Sequence, residues 1–207
     1  MGGAVDGGTG PVGGSSGAPP CDGATELRLA AVADAFVSAD PLEAMQNFGA
    51  DPGLAVSAGV GAEARALVAF DLSELPAGAN VGRALLRLRL RTSIAEARDF
   101  GAYRVSRAWR EDKVTWFDAT PSQAWSAPGG DTAEQPTSAF AAVPGTSAGR
   151  TLEWDVTADV LQDAADGLEG NGWLVRDVEG TASRVEFLAR EAAQSADRPA
   201  LVLLLCP

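Results

Sequence analysis

Apolar and polar residues alternate along most of the chain after residue 24. The clearest stretch is Ala84-Leu-Leu-Arg-Leu-Arg-Leu-Arg91. Leu86, Leu88 and Leu90 share one face, and Arg87, Arg89 and Arg91 share the other. A period of two marks a half-buried antiparallel strand. Leu27, Leu29 and Ala31 alternate with Arg28 and Ala30, and Ala35-Phe-Val37 follows. Arg65–Asp71 is a short apolar run, closed after Pro76 by the turn Pro76-Ala-Gly-Ala-Asn80. Further strands are expected at 101–107, 114–116, 151–155, 172–176, 184–190 and 200–205. Leu201-Val-Leu-Leu-Leu205 is apolar on both faces and therefore belongs inside a sheet, not at its edge.

One helix is predicted, over 157–167. Val160, Leu161, Ala164 and Leu168 form its apolar stripe, Thr157 is the expected N-cap, and Gly167 or Gly170 ends it. Many short strands, frequent turns and one short helix define an all-β sandwich. Residues 1–23 differ in kind. They are mostly Gly, Ser, Pro, Thr and Asp, with almost nothing to bury, and read as a flexible linker ahead of one domain over 24–207. Such a start resembles the tether that follows a lipoprotein cysteine, which would put the domain outside the cell or on its surface.

Charge narrows the function. The net charge is −12, from 28 acidic and 16 basic residues. A nucleic-acid surface needs clustered Lys and Arg on a basic domain, so that class is disfavoured. A neutral polysaccharide or a divalent cation suits the overall charge better than a polyanion. No apolar stretch is long enough for a membrane span.

Two cysteines, Cys21 and Cys206, stand at the two ends of the predicted domain. They read as a disulfide joining those ends, or as two unrelated free thiols. A zinc pair is disfavoured because histidine is absent. The same absence removes Ser-His-Asp and Cys-His catalysis. Glu111 with Asp155 offers only the carboxylate pair that any acidic chain contains, and Tyr103 with Lys113 only a weak lyase pattern. No activated base or nucleophile can be named, so a non-enzymatic role is expected.

Several strings occur in an order that carries a resemblance. They include Ala33-Asp-Ala-Phe-Val37, Trp109-Arg-Glu-Asp-Lys-Val-Thr-Trp116, Trp154-Asp-Val-Thr157, Asn171-Gly-Trp-Leu-Val175 and Arg198-Pro-Ala-Leu201. Together they resemble the DNRLRE domains, classed with the family 96 carbohydrate-binding modules, over roughly Ala24 to Leu205. The resemblance implies a jelly-roll-like antiparallel β-sandwich from a secreted or surface protein, often beside polysaccharide-degrading domains. Some relatives bind acidic glycans such as alginate. The strong acidity here points instead to a neutral polysaccharide. The alternative is a structural or adhesive surface module that binds a protein or matrix.

Candidate ligand-binding residues are aromatic, because a flat ring stacks on the apolar face of a sugar. Trp125 sits in the loop Ser122-Gln-Ala-Trp-Ser-Ala-Pro-Gly129 and is the foremost candidate. Trp173 and the only tyrosine, Tyr103, are further candidates, with core packing the competing role for Trp173. Trp109, Trp116 and Trp154 are expected in the core. Asp34, Asp131 and Glu191, each at a strand end or turn, are candidates for a structural calcium site, although no tight Asp-x-Asp-x-Asp-Gly string occurs. Arg184, Arg190 and Arg198 are expected to pair with their neighbours Glu186, Glu191 and Asp197.

Overall fold

The computed structural model describes residues 21–142, 145–167, 170–178 and 183–207. Most of the predicted linker lies outside the described residues, as do Leu168 and Glu169. The alternating segments become strands: β1 (Thr25–Ser38), β2 (Gly53–Val56), β3 (Ala64–Phe70), β4 (Asn80–Arg89), β5 (Arg98–Arg104), β6 (Asp118–Thr120), β7 (Gln123–Ala124), β8 (Ser138–Ala142) and β9 (Thr151–Asp155). After one helix, α1 (Thr157–Ala165), come β10 (Trp173–Asp177), β11 (Val185–Leu188) and β12 (Ala200–Cys206). Eight strands form one antiparallel sheet in the order β8-β5-β10-β3-β1-β12-β4-β9. It folds back on itself into a nearly closed, jelly-roll-like antiparallel sandwich.

The fold turns on β1. Its first half pairs with β12 and its second half with β3, with a register shift between Ala31 and Ala33. A bulge bends a strand and increases its twist, so one strand serves both layers. The two apolar runs read separately from the sequence are thus one 14-residue strand. β12 lies between β1 and β4, the interior position that its two-faced apolarity required. The two layers enclose the main core, in which Leu86, Phe100, Trp154, Trp173, Phe187 and Leu203 are buried. Phe187 meets both Phe100 and Trp154 edge-on, with ring centroids 5.7 and 6.0 Å apart. Trp154 Nε1 donates to the Phe100 carbonyl at 2.9 Å, so the buried indole loses no hydrogen bond.

Three local expectations need correction. Residues 114–116 are not a strand. Val114 N donates to Arg110 O in a turn and Trp116 N to Ala44 O, and the apolar side chains are buried by a loop instead. Thr157 is the first helical residue, not the cap, which is Val156. Its hydroxyl is used otherwise: Oγ1 donates to Asp155 Oδ1 at 2.6 Å and accepts from Ala84 N at 2.9 Å, stitching the helix start to β4. The ion pairs expected of Arg184, Arg190 and Arg198 with their sequence neighbours do not form among the described residues. Arg184 pairs with Glu43, Arg190 with Glu111, Arg91 with Glu186 and Arg89 with Asp197.

Cys21 and Cys206 form a disulfide with their Cα atoms 5.9 Å apart, closing a separation of 185 residues. Among the described residues no helix is long and apolar enough to cross a membrane.

Candidate functional site

The site is built on the outer face of β3, β10 and β5. Leu67 pairs with Leu174, and Leu174 with Tyr103. Arg65 and Arg176 lie one step further along the same strands, on neighbouring positions. The long segment after β5 folds back over part of this face. Val114, Trp116, Ala119 and Trp125 pack on Ala35, Val37, Leu67 and Leu174 to make a second, smaller core. What this cover leaves open is a groove along Arg65, Tyr103 and Arg176.

Both arginines lie over aromatic rings. The Arg176 guanidinium lies 4.0 Å from the Tyr103 ring centroid, and that of Arg65 lies 4.7 Å from the Trp116 centroid. Such stacks orient a guanidinium and leave its edge donors free. Two glycines make room for them. A Cβ on Gly101 would come within 2.7 Å of the Tyr103 ring, so that ring lies down over β5 only because position 101 has no side chain. Gly129 has φ +91°, and a Cβ there would sit 2.5 Å from the Trp116 ring and 2.6 Å from Arg65 Nη1. The Gly129 carbonyl accepts from Arg65 Nη1 at 2.9 Å. Partial burial pushes the Arg65 guanidinium pKa down, and the like charge of Arg176 adds to the shift.

Two adjoining hollows share Arg65 and Arg176. The larger, about 880 Å³, runs past Arg107, Gln123, Ser126 and Thr132. The smaller, about 380 Å³, runs past Ser57, Tyr103 and Val178. Glu134 belongs to the first and Glu63 to the second, while the two arginines belong to both. Among the described residues, neither Arg65 nor Arg176 has a carboxylate within ion-pair distance, whereas Arg107 is paired with Asp131.

The three aromatic candidates are all buried. Trp125 is 5% exposed and donates Nε1 to the Thr115 carbonyl at 3.1 Å. It anchors the loop to the sheet, and its faces are used by the second core, so it offers no free stacking platform. Its polar neighbours signalled exposure, but the indole itself turns inward. Trp173 is 1% exposed on the inner face, with Nε1 donating to Asp159 Oδ2 at 2.7 Å, and is a core residue. Tyr103 is 3% exposed, yet it borders the smaller hollow and supports Arg176 there. It is the one candidate of the three that the fold brings to the groove.

Asp34, Asp131 and Glu191 do not share one site. Asp131 accepts from Ser126 N at 2.8 and 3.0 Å, from Ala127 N at 3.2 Å and from Arg107. Burial works against its charge, but these donors outweigh it and hold the carboxyl below its usual range. It closes the 126–131 loop. Asp34 is buried on β1 and accepts from Arg190 N at 2.8 Å. Glu191 and Glu111 are close enough to act on it electrostatically. Among the described residues no group of three or more His, Cys, Asp or Glu side chains is placed to hold a metal.

Asp34 gives a pH prediction. Burial above all, then the charges of Glu191 and Glu111, raise its pKa from 3.8 to about 7, against the pull of the Arg190 N–H. The folded state therefore keeps a proton that the unfolded chain releases above pH 4. This contribution is fully present below the unfolded value and is lost as pH rises toward 7. The upper figure is on the order of 4 kcal/mol. Asp34→Asn should flatten the fall in melting temperature between pH 5 and pH 8 and melt higher than the parent at pH 8. Equal pH slopes for parent and variant in a thermal-denaturation series would refute the assignment.

Residues 25–204 match the sequence model of carbohydrate-binding module family 96, and the chain belongs to that family. No curated protein matches it. The residues that sequence reasoning missed are Arg65, Arg107 and Arg176. Strand parity places Arg65 with Leu67 and Arg176 with Leu174 on one face, but only the pairing of β3 with β10 brings the two together.

Proposed function

We propose that this chain is a non-catalytic, extracellular polysaccharide-binding module whose ligand lies along the groove over Arg65, Tyr103 and Arg176 and carries carboxylate groups. One observation carries the reading. Two guanidiniums stand side by side on the open face, each stacked on a ring, without a carboxylate partner among the described residues. Like charges placed opposite each other in a sheet are unfavourable, and a bound carboxylate relieves that repulsion through bidentate hydrogen bonds.

This modifies the expectation of a neutral glycan, which rested on the net charge. Charges more than about 8 Å away are largely screened at physiological ionic strength, so the groove's own charges decide. Of its carboxylates, Asp131 is paired with Arg107 and Asp177 with Arg98, which leaves Glu63 and Glu134 near the two arginines but outside ion-pair distance of them. Family membership supports the carbohydrate class. The disulfide supports an oxidising compartment. The non-catalytic reading is supported by the state of the groove's best-placed acid, Asp131, which is spent on two backbone donors and Arg107.

The test uses two forms of one polymer, polygalacturonate and its fully methyl-esterified counterpart, by isothermal titration calorimetry and affinity electrophoresis. The charged form should bind at least about tenfold tighter, with affinity falling as salt rises. Arg176→Gln should remove about tenfold or more, the size expected of one charge-assisted hydrogen-bond pair. Equal affinity for both forms would restore the neutral-glycan reading. Undiminished binding by Arg176→Gln and Arg65→Gln would remove the groove from it.

A further inference from the structure

The opposite layer carries a second basic concavity. β4 presents Arg87 and Arg89 outward, at the alternate positions that the sequence pattern shows. Arg87 lies across from Ala200 of β12, and Ala200 lies across from Ala30 of β1. Arg28, two residues before Ala30, and Arg198, two residues before Ala200, point to the same side. The long cationic side chains of Arg28, Arg87, Arg89 and Arg198 converge around a hollow on this face. It has a volume of about 250 Å³, and these arginines line it together with Glu153, Thr151 and Ala196.

Its charge is not neutralised from within. Arg87 pairs with Glu153 at 2.6 Å and Arg89 with Asp197 at 3.2 Å. Arg28 and Arg198 meet only carbonyl oxygens among the described residues, Ala196 O at 3.4 Å and Ala192 O at 2.8 Å. Two guanidiniums in excess of the carboxylates thus face one small hollow in a chain of net charge −12. Each guanidinium has five N–H donors, so every one of the four has donors left after these contacts. The donors reach the hollow from two strands, β1 and β4, and from the turn before β12. An arrangement that surrounds its ligand suits a compact oxyanion with acceptors in several directions, more than a flat carboxylate approached along one edge.

We infer that this hollow binds a tetrahedral oxyanion of sulfate or phosphate size, either free in solution or as an ester group on a polysaccharide. The site is separate from the Arg65–Arg176 groove, on the other layer of the sandwich. A polymer bearing such esters would therefore engage a face of the module that the groove leaves free.

The experiment follows the arginine Nε–Hε signals by ¹⁵N NMR while sodium sulfate, sodium phosphate or sodium acetate is added at constant ionic strength. Sulfate and phosphate should move a subset of signals with saturation, and Arg28→Gln and Arg198→Gln should each weaken the fitted affinity at least about tenfold. Arg28 is exposed and holds no core contact, so its variant tests the site without testing the fold. Shifts that rise linearly without saturation, or that are unchanged in both variants, overturn the inference. Acetate binding as well as sulfate overturns the tetrahedral assignment. A second arm compares dextran sulfate with dextran, in a protein already carrying Arg65→Gln and Arg176→Gln. Retention of dextran sulfate there, lost on adding Arg28→Gln, identifies the ester as the source. Saturable binding of inorganic anion without retention of the polymer identifies the free ion. In that background, loss of polygalacturonate binding leaves the inference untouched, so the two readings fail separately.

Discussion

Reducing the Cys21–Cys206 bridge should lower the melting temperature by roughly 10 °C or more. The bridge spans 185 residues, so it removes more chain entropy from the unfolded state than a short-loop disulfide does. The loop-entropy relation gives about 5 kcal/mol at this length as an upper figure. For a domain of this size each kcal/mol moves the midpoint by about 2–4 °C. The folded state contributes little to the change, because β1 and β12 already hold the two ends together by their pairing from Thr25 with Leu205 to Ala30 with Ala200. The effect should therefore appear as a lower midpoint, with the same far-ultraviolet circular dichroism at low temperature. Cys21→Ser with Cys206→Ser should reproduce it without reductant. A midpoint that moves by less than about 2 °C in both experiments would show that the unfolded chain loses little freedom to the bridge.

The second large effect concerns Arg98 and Asp177. Arg98 opens β5 and Asp177 ends β10, and their side chains are 2% and 0% exposed. Arg98 Nε donates to Asp177 Oδ2, while Nη1 and Nη2 donate at 2.8 Å each to the hydroxyl and carbonyl of Ser183. Removing one member of a buried pair leaves the other charge uncompensated, at a cost of about 3–5 kcal/mol. Arg98→Met should therefore shift the urea midpoint far below that of the parent. Arg98→Met combined with Asp177→Leu should recover most of the loss, since neither charge then remains buried. Ser183 is exposed, so water can take the place of the guanidinium there. A double variant no more stable than Arg98→Met alone would mean that the two charges do not act as a pair. Arg176 precedes Asp177 on the same strand, so the single variant should also weaken binding in the groove.

Much of the architecture was legible because side-chain period is a local property. Leu86, Leu88 and Leu90 face one way along β4 whatever the strand meets, and the double-sided apolarity of β12 requires neighbours on both edges. The helix over 157–165 and its end near Gly167, which has φ +95°, follow from the same local reasoning. So does Asp71, whose Oδ1 accepts from Ser73 N at 2.9 Å within its own turn.

The site was not legible in this way. Trp125 reads as exposed among Ser, Gln, Pro and Gly, yet its loop folds onto Leu67 and Leu174, which are far away in the chain. Arg184, Arg190 and Asp197 find partners on other segments, because carboxylates beside them in sequence point elsewhere. The calcium candidates share a residue type and a turn context, but Asp131 lies in the loop by the groove and Asp34 on β1 beneath Arg190.

The amino-acid sequence by itself determined the strand faces, the interior place of β12 and the class of sandwich, since periodicity and burial act along a few consecutive residues. Strand parity puts Arg65 on the face of Leu67 and Arg176 on the face of Leu174, without saying which face meets solvent. That they stand together, stacked on Trp116 and Tyr103 at the mouth of one groove, was decided only by tertiary structure. Strand order and loop return join positions more than a hundred residues apart, and no local pattern encodes which strands will become neighbours.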